Sequence, residues 1–146
     1  MKIVLASDHG GFDLKESIKL HLAELGYEVL DQGCFNQQSV DYPDYGVLAA
    51  KKVLEESCLG IIFCGTGIGI SIAANKVKGI RAALCHEEYS ATMARCHNNA
   101  NILALGGRTI GVDLAKSIVD AFLEADFEGG RHQRRVEKIM KLEEGR

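Results

Sequence analysis

The chain has 146 residues, 47% of them hydrophobic and 25% charged, with a formal net charge of -3. A chain of this length buries about two-thirds of the surface its unfolded form exposes and needs no covalent staple. The acidic balance excludes a general nucleic-acid binder, whose affinity rests on a dominant positive field. Five cysteines, at 34, 58, 64, 85 and 96, form no C-x-x-C pair, which argues against a structural zinc site and for free thiols in a reducing compartment.

The first element is the β-rich run Ile3–Ala6, with polar Asp8 close behind it. Neither this run nor any later one approaches the ~20 apolar residues of a membrane span, so a soluble cytoplasmic protein is expected. Leu14, Ile18, Leu22 and Leu25 then fall on one face of a helix that ends at Gly26, a residue suited to the left-handed C-cap. A second strand is expected over Tyr27–Leu30. The single proline, Pro43, is placed to start a second helix carrying Val47, Ala50 and Leu54 inward. Further strands are expected at Gly60–Cys64, Ile80–Cys85 and Ile102–Leu105, with helical segments between them. The tail reads as a helix with Val136, Ile139 and Met140 as its apolar stripe. This alternation predicts an α/β fold, a Rossmann-like three-layer α/β/α sandwich with a five-stranded parallel sheet, whose ligand site lies outside the carboxyl ends of the strands. Neither a repeat nor a linker divides the chain, so residues 1–146 are expected to form one domain.

The chemistry concentrates after the third strand, where the apolar run ends in Cys64 and opens into Gly65, Gly67 and Gly69. Backbone N–H groups in a strand-to-helix turn are unpaired, so such a loop can hold an anion and favour a thiolate beside it. Cys64 is therefore either a small buried packing residue or a reactive thiol, and the loop weighs toward chemistry. Two other glycine motifs fail here. The dinucleotide fingerprint requires Gly or Ala where Ile70 stands, and a phosphate-binding NTPase loop requires a Lys after its closing glycine.

Polar groups also follow the other strands. Ser7, Asp8 and His9 come after the first, Gly106, Gly107 and Arg108 after the fifth, and Cys96, His97, Asn98 and Asn99 end the helix before the fifth. All are expected on one rim. Taken singly, Asp8 also fits an N-cap, His97 and Asn98 a helix C-terminus, and Arg108 a solvated charge. In the tail, Arg131 and Arg135 are four apart and share a helical face, which suits a dianion such as phosphate; Arg134 and Lys138 read as a solvated face with Glu137, Glu143 and Glu144.

The segments SDHGG (7–11), DYPDYG (41–46), CGTGIGISIAANK (64–76), GIRAALC (79–85), HNNANILALGGR (97–108) and EGGRHQRRVEKI (128–139) resemble the type B ribose-5-phosphate isomerases over nearly the whole chain. That superfamily also includes allose-6-phosphate isomerases and the subunits of galactose-6-phosphate isomerase. The resemblance implies an aldose-ketose isomerase that works through a cis-enediolate without metal or organic cofactor, on a sugar phosphate and with neither nucleic acid nor membrane as partner. Carried over, Cys64 is the base between C1 and C2 and Thr66 handles the oxygens. Gly65, Gly67, Ile68 and Gly69 belong to the anion hole. His97 opens the ring with help from Asp8, Tyr42 and Asn98 position the sugar, and His9, Arg108, Arg131 and Arg135 take the phosphate. A second branch of the family carries a glutamate at the place held here by Ile70, so the resemblance puts this chain in the cysteine branch. It also implies homodimers, or dimers of dimers, with His97, Asn98 and Arg108 entering the partner's site. A non-catalytic sugar-phosphate binder would need the glycines and arginines but neither Cys64 nor His97. A hexose-6-phosphate isomerase remains the alternative substrate reading.

Overall fold

A computed structural model describes residues 1–145. Five strands, β1 (Lys2–Ser7), β2 (Glu28–Asp31), β3 (Leu59–Cys64), β4 (Ala82–Leu84) and β5 (Ile102–Gly106), pair in the order β2-β1-β3-β5-β4, and every pairing is parallel. Six helices join or follow them: α1 (Phe12–Glu24), α2 (Tyr42–Glu56), α3 (Ile68–Ala74), α4 (Glu88–Asn98), α5 (Val112–Glu124) and α6 (Arg131–Lys141).

Alternate residues of the central strands serve two cores, as a parallel sheet covered on both faces requires. Ile3, Leu5, Ile61, Phe63, Leu103 and Leu105 face α1, α4 and α5, while Val4, Ala6, Ile62, Cys64, Ile102 and Ala104 face α2 and α3. Burial of each large apolar side chain contributes about 1.5–3 kcal/mol, which makes this two-sided packing the main source of stability.

The α1 stripe holds at Leu14, Ile18 and Leu22, but Leu25 is half exposed as the C-cap, followed by Gly26 at φ +89°. Pro43 sits in the first turn of α2. The inward face of α2 is Gly46, Ala49, Ala50 and Val53, with Val47 only partly covered and Leu54 exposed. The small residues decide this, because a Cβ on Gly46 would lie 3.1 Å from Ile70 and α2 seats close against α3 there. Strand β4 is shorter than Ile80–Cys85, and on its open edge the Asn75 amide takes both backbone groups of Ala82, at 2.9 and 2.8 Å.

After β1 the chain turns outward to β2, and after β3 it turns the other way toward β5 and β4. Helices α1 and α3 accordingly pack on opposite faces of the sheet. The crevice between the carboxyl ends of β1 and β3 is therefore the topological switch point, where open α/β sheets bind ligands.

Candidate active site

Glycines let the loops after β1, β3 and β5 touch backbone to backbone. A Cβ on Gly107 would lie 2.7 Å from the Gly10 carbonyl oxygen, and one on Gly10 would lie 3.1 Å from the Gly65 nitrogen. Backbone bonds close the same seam: Gly107 N–H donates to the Cys64 carbonyl at 2.8 Å and Arg108 N–H to that of Gly65 at 2.9 Å. Asp8, His9, Cys64, Thr66 and Arg108 are thereby gathered at the switch point. Tyr42 joins them from the first turn of α2, its ring lying where a Cβ on Gly69 would be 2.6 Å away.

The sulfur of Cys64 is buried and accepts the Gly67 N–H at 3.1 Å. Gly67 adopts φ +78°, a conformation that side-chain-bearing residues rarely hold, and so turns the chain from the end of β3 into α3. Burial pushes the Cys85 thiol up to about 11, and burial together with Glu56 raises that of Cys58. The Ile68 N–H is likewise taken, by Thr66 Oγ1 at 3.2 Å.

Asp8 realises the capping alternative, since its Oδ1 accepts the Gly11 N–H at 3.1 Å. Asp8 is buried, so the cap holds its carboxylate just beyond the carboxyl end of β1. His9 Nδ1 accepts the Val40 N–H at 3.2 Å, which leaves the proton of the neutral ring on Nε2. The Arg108 guanidinium lies over Gly65 and Gly10 of its own chain. The cause is the β3–β5 pairing, which zips Arg108 to the glycine loop of the same chain.

The expectation of a single rim fails. Helix α4 returns antiparallel to the strands, so its C-terminus with His97 and Asn98 lies at their amino edge, opposite Cys64. The Arg81 Nε, just before β4, donates to the carbonyls of Asn98 and Asn99 at 3.2 and 3.0 Å. A second cluster forms at this end. The rings of His97 and His132 stack with centroids 4.1 Å apart and planes within 8°. Glu128 Oε1 lies 3.8 Å from His97 Nε2 and 3.5 Å from His132 Nε2. Arg131 and Arg135 project into solvent from the same helix as His132.

His132 escapes a reading that looks for exposed polar groups, because it is buried. The available signal is its i, i+4 relation to Val136, the other buried residue of α6. Burial, then the neighbouring His97 and the Arg131 guanidinium, hold the His132 pKa below the ordinary histidine value against the opposing pull of Glu128. His97, Glu128 and His132 also place ligand atoms within 4.8 Å of one another. Stacked rings confine their lone pairs to two parallel planes, which suits tetrahedral coordination badly, and the adjacent arginines add positive potential, so the arrangement is a poor cation site. A crevice of about 660 Å³ lies at the amino edge beside Lys2, Arg95 and Asp126, away from Cys64. Its cations are already engaged, Lys2 with Glu56 and Arg95 with Asn99 and the Ala100 carbonyl.

Residues 3–139 match a family model described as Ribose/Galactose Isomerase. The chain belongs to the ribose/galactose isomerase family. The matched span contains both clusters, from Asp8 to Arg135. Among relatives in this family, ribose-5-phosphate isomerase B of Escherichia coli is 53% identical over 146 residues, covering 99% of this chain and 98% of that protein. The structure of Clostridium thermocellum ribose-5-phosphate isomerase B is similar with a TM-score of 0.96 at 57% identity, covering 98% of this chain and 97% of that one. Ribose-5-phosphate isomerase B of Mycoplasma genitalium, solved with bound ribulose 5-phosphate, has a TM-score of 0.94 at 47% identity, covering 99% and 97%. Among the described residues no helix is long and apolar enough to cross a membrane.

Proposed function

We propose that the chain interconverts ribose 5-phosphate and ribulose 5-phosphate in a reducing cytoplasm, where its five free thiols stay reduced. The observation that carries the reading is a sulfur held by a backbone N–H at the switch point of the sheet. It is supported by the high identity to isomerases of this name over nearly the full length of both chains.

Ribose 5-phosphate closes into a ring and has to be opened. Ribulose 5-phosphate cannot form a five-membered ring, because the hydroxyl that would close it carries the phosphate. Acid-base work by His97 and Asp8 therefore serves the aldose end, moving a proton from the anomeric hydroxyl to the ring oxygen. Cys64 then removes the proton from C2, giving the cis-enediolate, and returns it to C1, while the O2 hydroxyl proton passes to O1 through the Thr66 hydroxyl, leaving the carbonyl at C2. The charge that gathers on the enediolate oxygens is met by the Thr66 hydroxyl and loop N–H groups, donors worth about 3 kcal/mol each when pre-aimed. His9, Arg108, Arg131 and Arg135 take the phosphate, and Tyr42 and Asn98 position the chain of hydroxyls. The steps as written use no metal or organic cofactor.

Such a site needs both edges of the sheet, and one chain holds them apart. We therefore place Cys64 of one copy opposite His97 of a second copy in a homodimer. Ile68 and Ile72 lie half exposed beside the glycine loop and offer an apolar surface for that contact. The deciding experiment compares turnover on ribose 5-phosphate, allose 6-phosphate and galactose 6-phosphate. Ribose 5-phosphate is expected to have the highest kcat/KM, and a clear preference for either hexose phosphate would overturn the substrate assignment.

A further inference from the structure

We infer that His132 is a positioning residue, a flat plate against which the ring of His97 is held in the plane that ring opening needs; this rests on the isomerase reading above. His97 lies on the last turn of α4 with its side chain 38% exposed, and it makes no hydrogen bond to a neighbouring backbone among the described residues. Left alone, such a ring samples several rotamers, and a proton-transfer group loses rate when its geometry wanders. The stack with His132, at 4.1 Å and 8°, removes that freedom.

The plate is itself fixed. Its side chain is 10% exposed and lies on the buried face of α6 with Val136. Gly129 and Gly130, at φ +69° and +57°, make the turn that starts α6, and the His132 N–H closes that turn on the Gly129 carbonyl at 3.0 Å. The Glu128 N–H donates to the Cys96 carbonyl at 3.0 Å and so ties the turn to the end of α4. The charged groups facing His132 are His97, Glu128, Arg131 and Arg135. Burial, the adjacent His97 ring and the two arginines lower its pKa against the pull of Glu128, which favours the neutral ring that can lie flat against His97.

The test separates ring opening from enediolate formation. Exchange of the C1 hydrogen of ribulose 5-phosphate with D2O requires Cys64 and the glycine loop but no ring opening. In His132→Ala, turnover of ribose 5-phosphate is expected to fall about tenfold or more, while exchange changes less than about twofold. His132→Phe keeps a flat face and is expected to restore most turnover, whereas His132→Leu fills the volume without a flat face and is expected to behave like Ala. Wild-type turnover in the Ala variant, equal loss of turnover and exchange, or Leu matching Phe would each overturn the inference. If His132→Ala does not fold, the Phe and Leu pair still decides. Failure of the unaltered enzyme to turn over ribose 5-phosphate would instead strike the functional reading.

Discussion

The Gly67 amide reaches back across three residues to donate to Cys64 Sγ at 3.1 Å. The bond makes the sulfur both the end of a buried strand and the first acceptor of the glycine loop, so packing and chemistry coincide in one residue. Cys64→Ala is expected to lower isomerisation by about 10²–10⁴, the usual worth of a positioned general base, with substrate binding retained. Steady-state assays on folded protein check this, and near-normal turnover would remove Cys64 from the mechanism. Iodoacetamide at neutral pH is expected to label Cys64 ahead of Cys85 and Cys58, whose thiols burial pushes up. Substrate should protect Cys64, which peptide mass mapping detects.

The phosphate is expected to be gripped by Arg131 and Arg135, four apart and both exposed on α6. Replacing either with Ala removes a charge-assisted hydrogen bond and should raise KM for ribose 5-phosphate about tenfold or more. Some loss of kcat should accompany it, because binding energy from a remote group orients the reacting carbons. Free ribose should be a very poor substrate and insensitive to both changes. An unchanged KM in both variants would place the phosphate elsewhere.

Far from the sulfur, Lys15 is fully buried and its ammonium meets both carboxylate oxygens of Asp31 at 2.7 Å. The same carboxylate accepts the Gly33 N–H, and Gly33 and Cys34 bond the backbone of Ser7, so this pair braces the end of β1 that presents Asp8 and His9. Asp31→Asn leaves the buried ammonium with only the more distant Glu16 carboxylate, at 3.4 Å, as counter-charge and should cost up to about 3–5 kcal/mol, whereas adding Lys15→Met should recover much of that loss. Burial alone would raise the Asp31 pKa, but hydrogen bonds from Lys15, Lys19 and Gly33 outweigh it and leave the group below the ordinary carboxylate value. A depressed folded-state value means stability is fully present above the ordinary Asp range and lost as pH falls below it. Urea midpoints of wild type and Asp31→Asn should therefore differ at pH 7 and converge toward pH 3. A constant gap would show that the ion pair is not the cause.

The two-sided hydrophobic runs made the parallel sheet legible, since strands such as Ile61–Cys64 are apolar on both faces. The glycine loop was legible too, because three glycines directly after a buried strand leave few other conformations. The face of α2 was misread because Gly46 and Ala49, not the larger Val47 and Leu54, control how closely two helices approach. Direction explains the misplaced rim: the polar ends of strands and the polar end of α4 look alike in sequence, yet a crossover helix carries its C-terminus to the opposite edge. His132 was hidden for a third reason. Its value lies in a contact with His97 across 35 positions, which no local pattern encodes.

The separation of the two edges leads to the sharpest test. If each site combines Cys64 of one copy with His97 of the other, homodimers of Cys64→Ala and of His97→Ala should both be inactive. Mixing them changes the outcome. In a mixed dimer one site lacks both groups, while the other takes an intact Cys64 from the His97→Ala copy and an intact His97 from the Cys64→Ala copy. With random exchange about half the dimers are mixed and half of their sites are live, so activity should return to roughly one quarter of wild type. Native mass spectrometry measures the mixed fraction independently of the assay. Were both residues to act within one chain, every site in every dimer would stay broken, so complete subunit exchange with no recovered activity would refute the shared site.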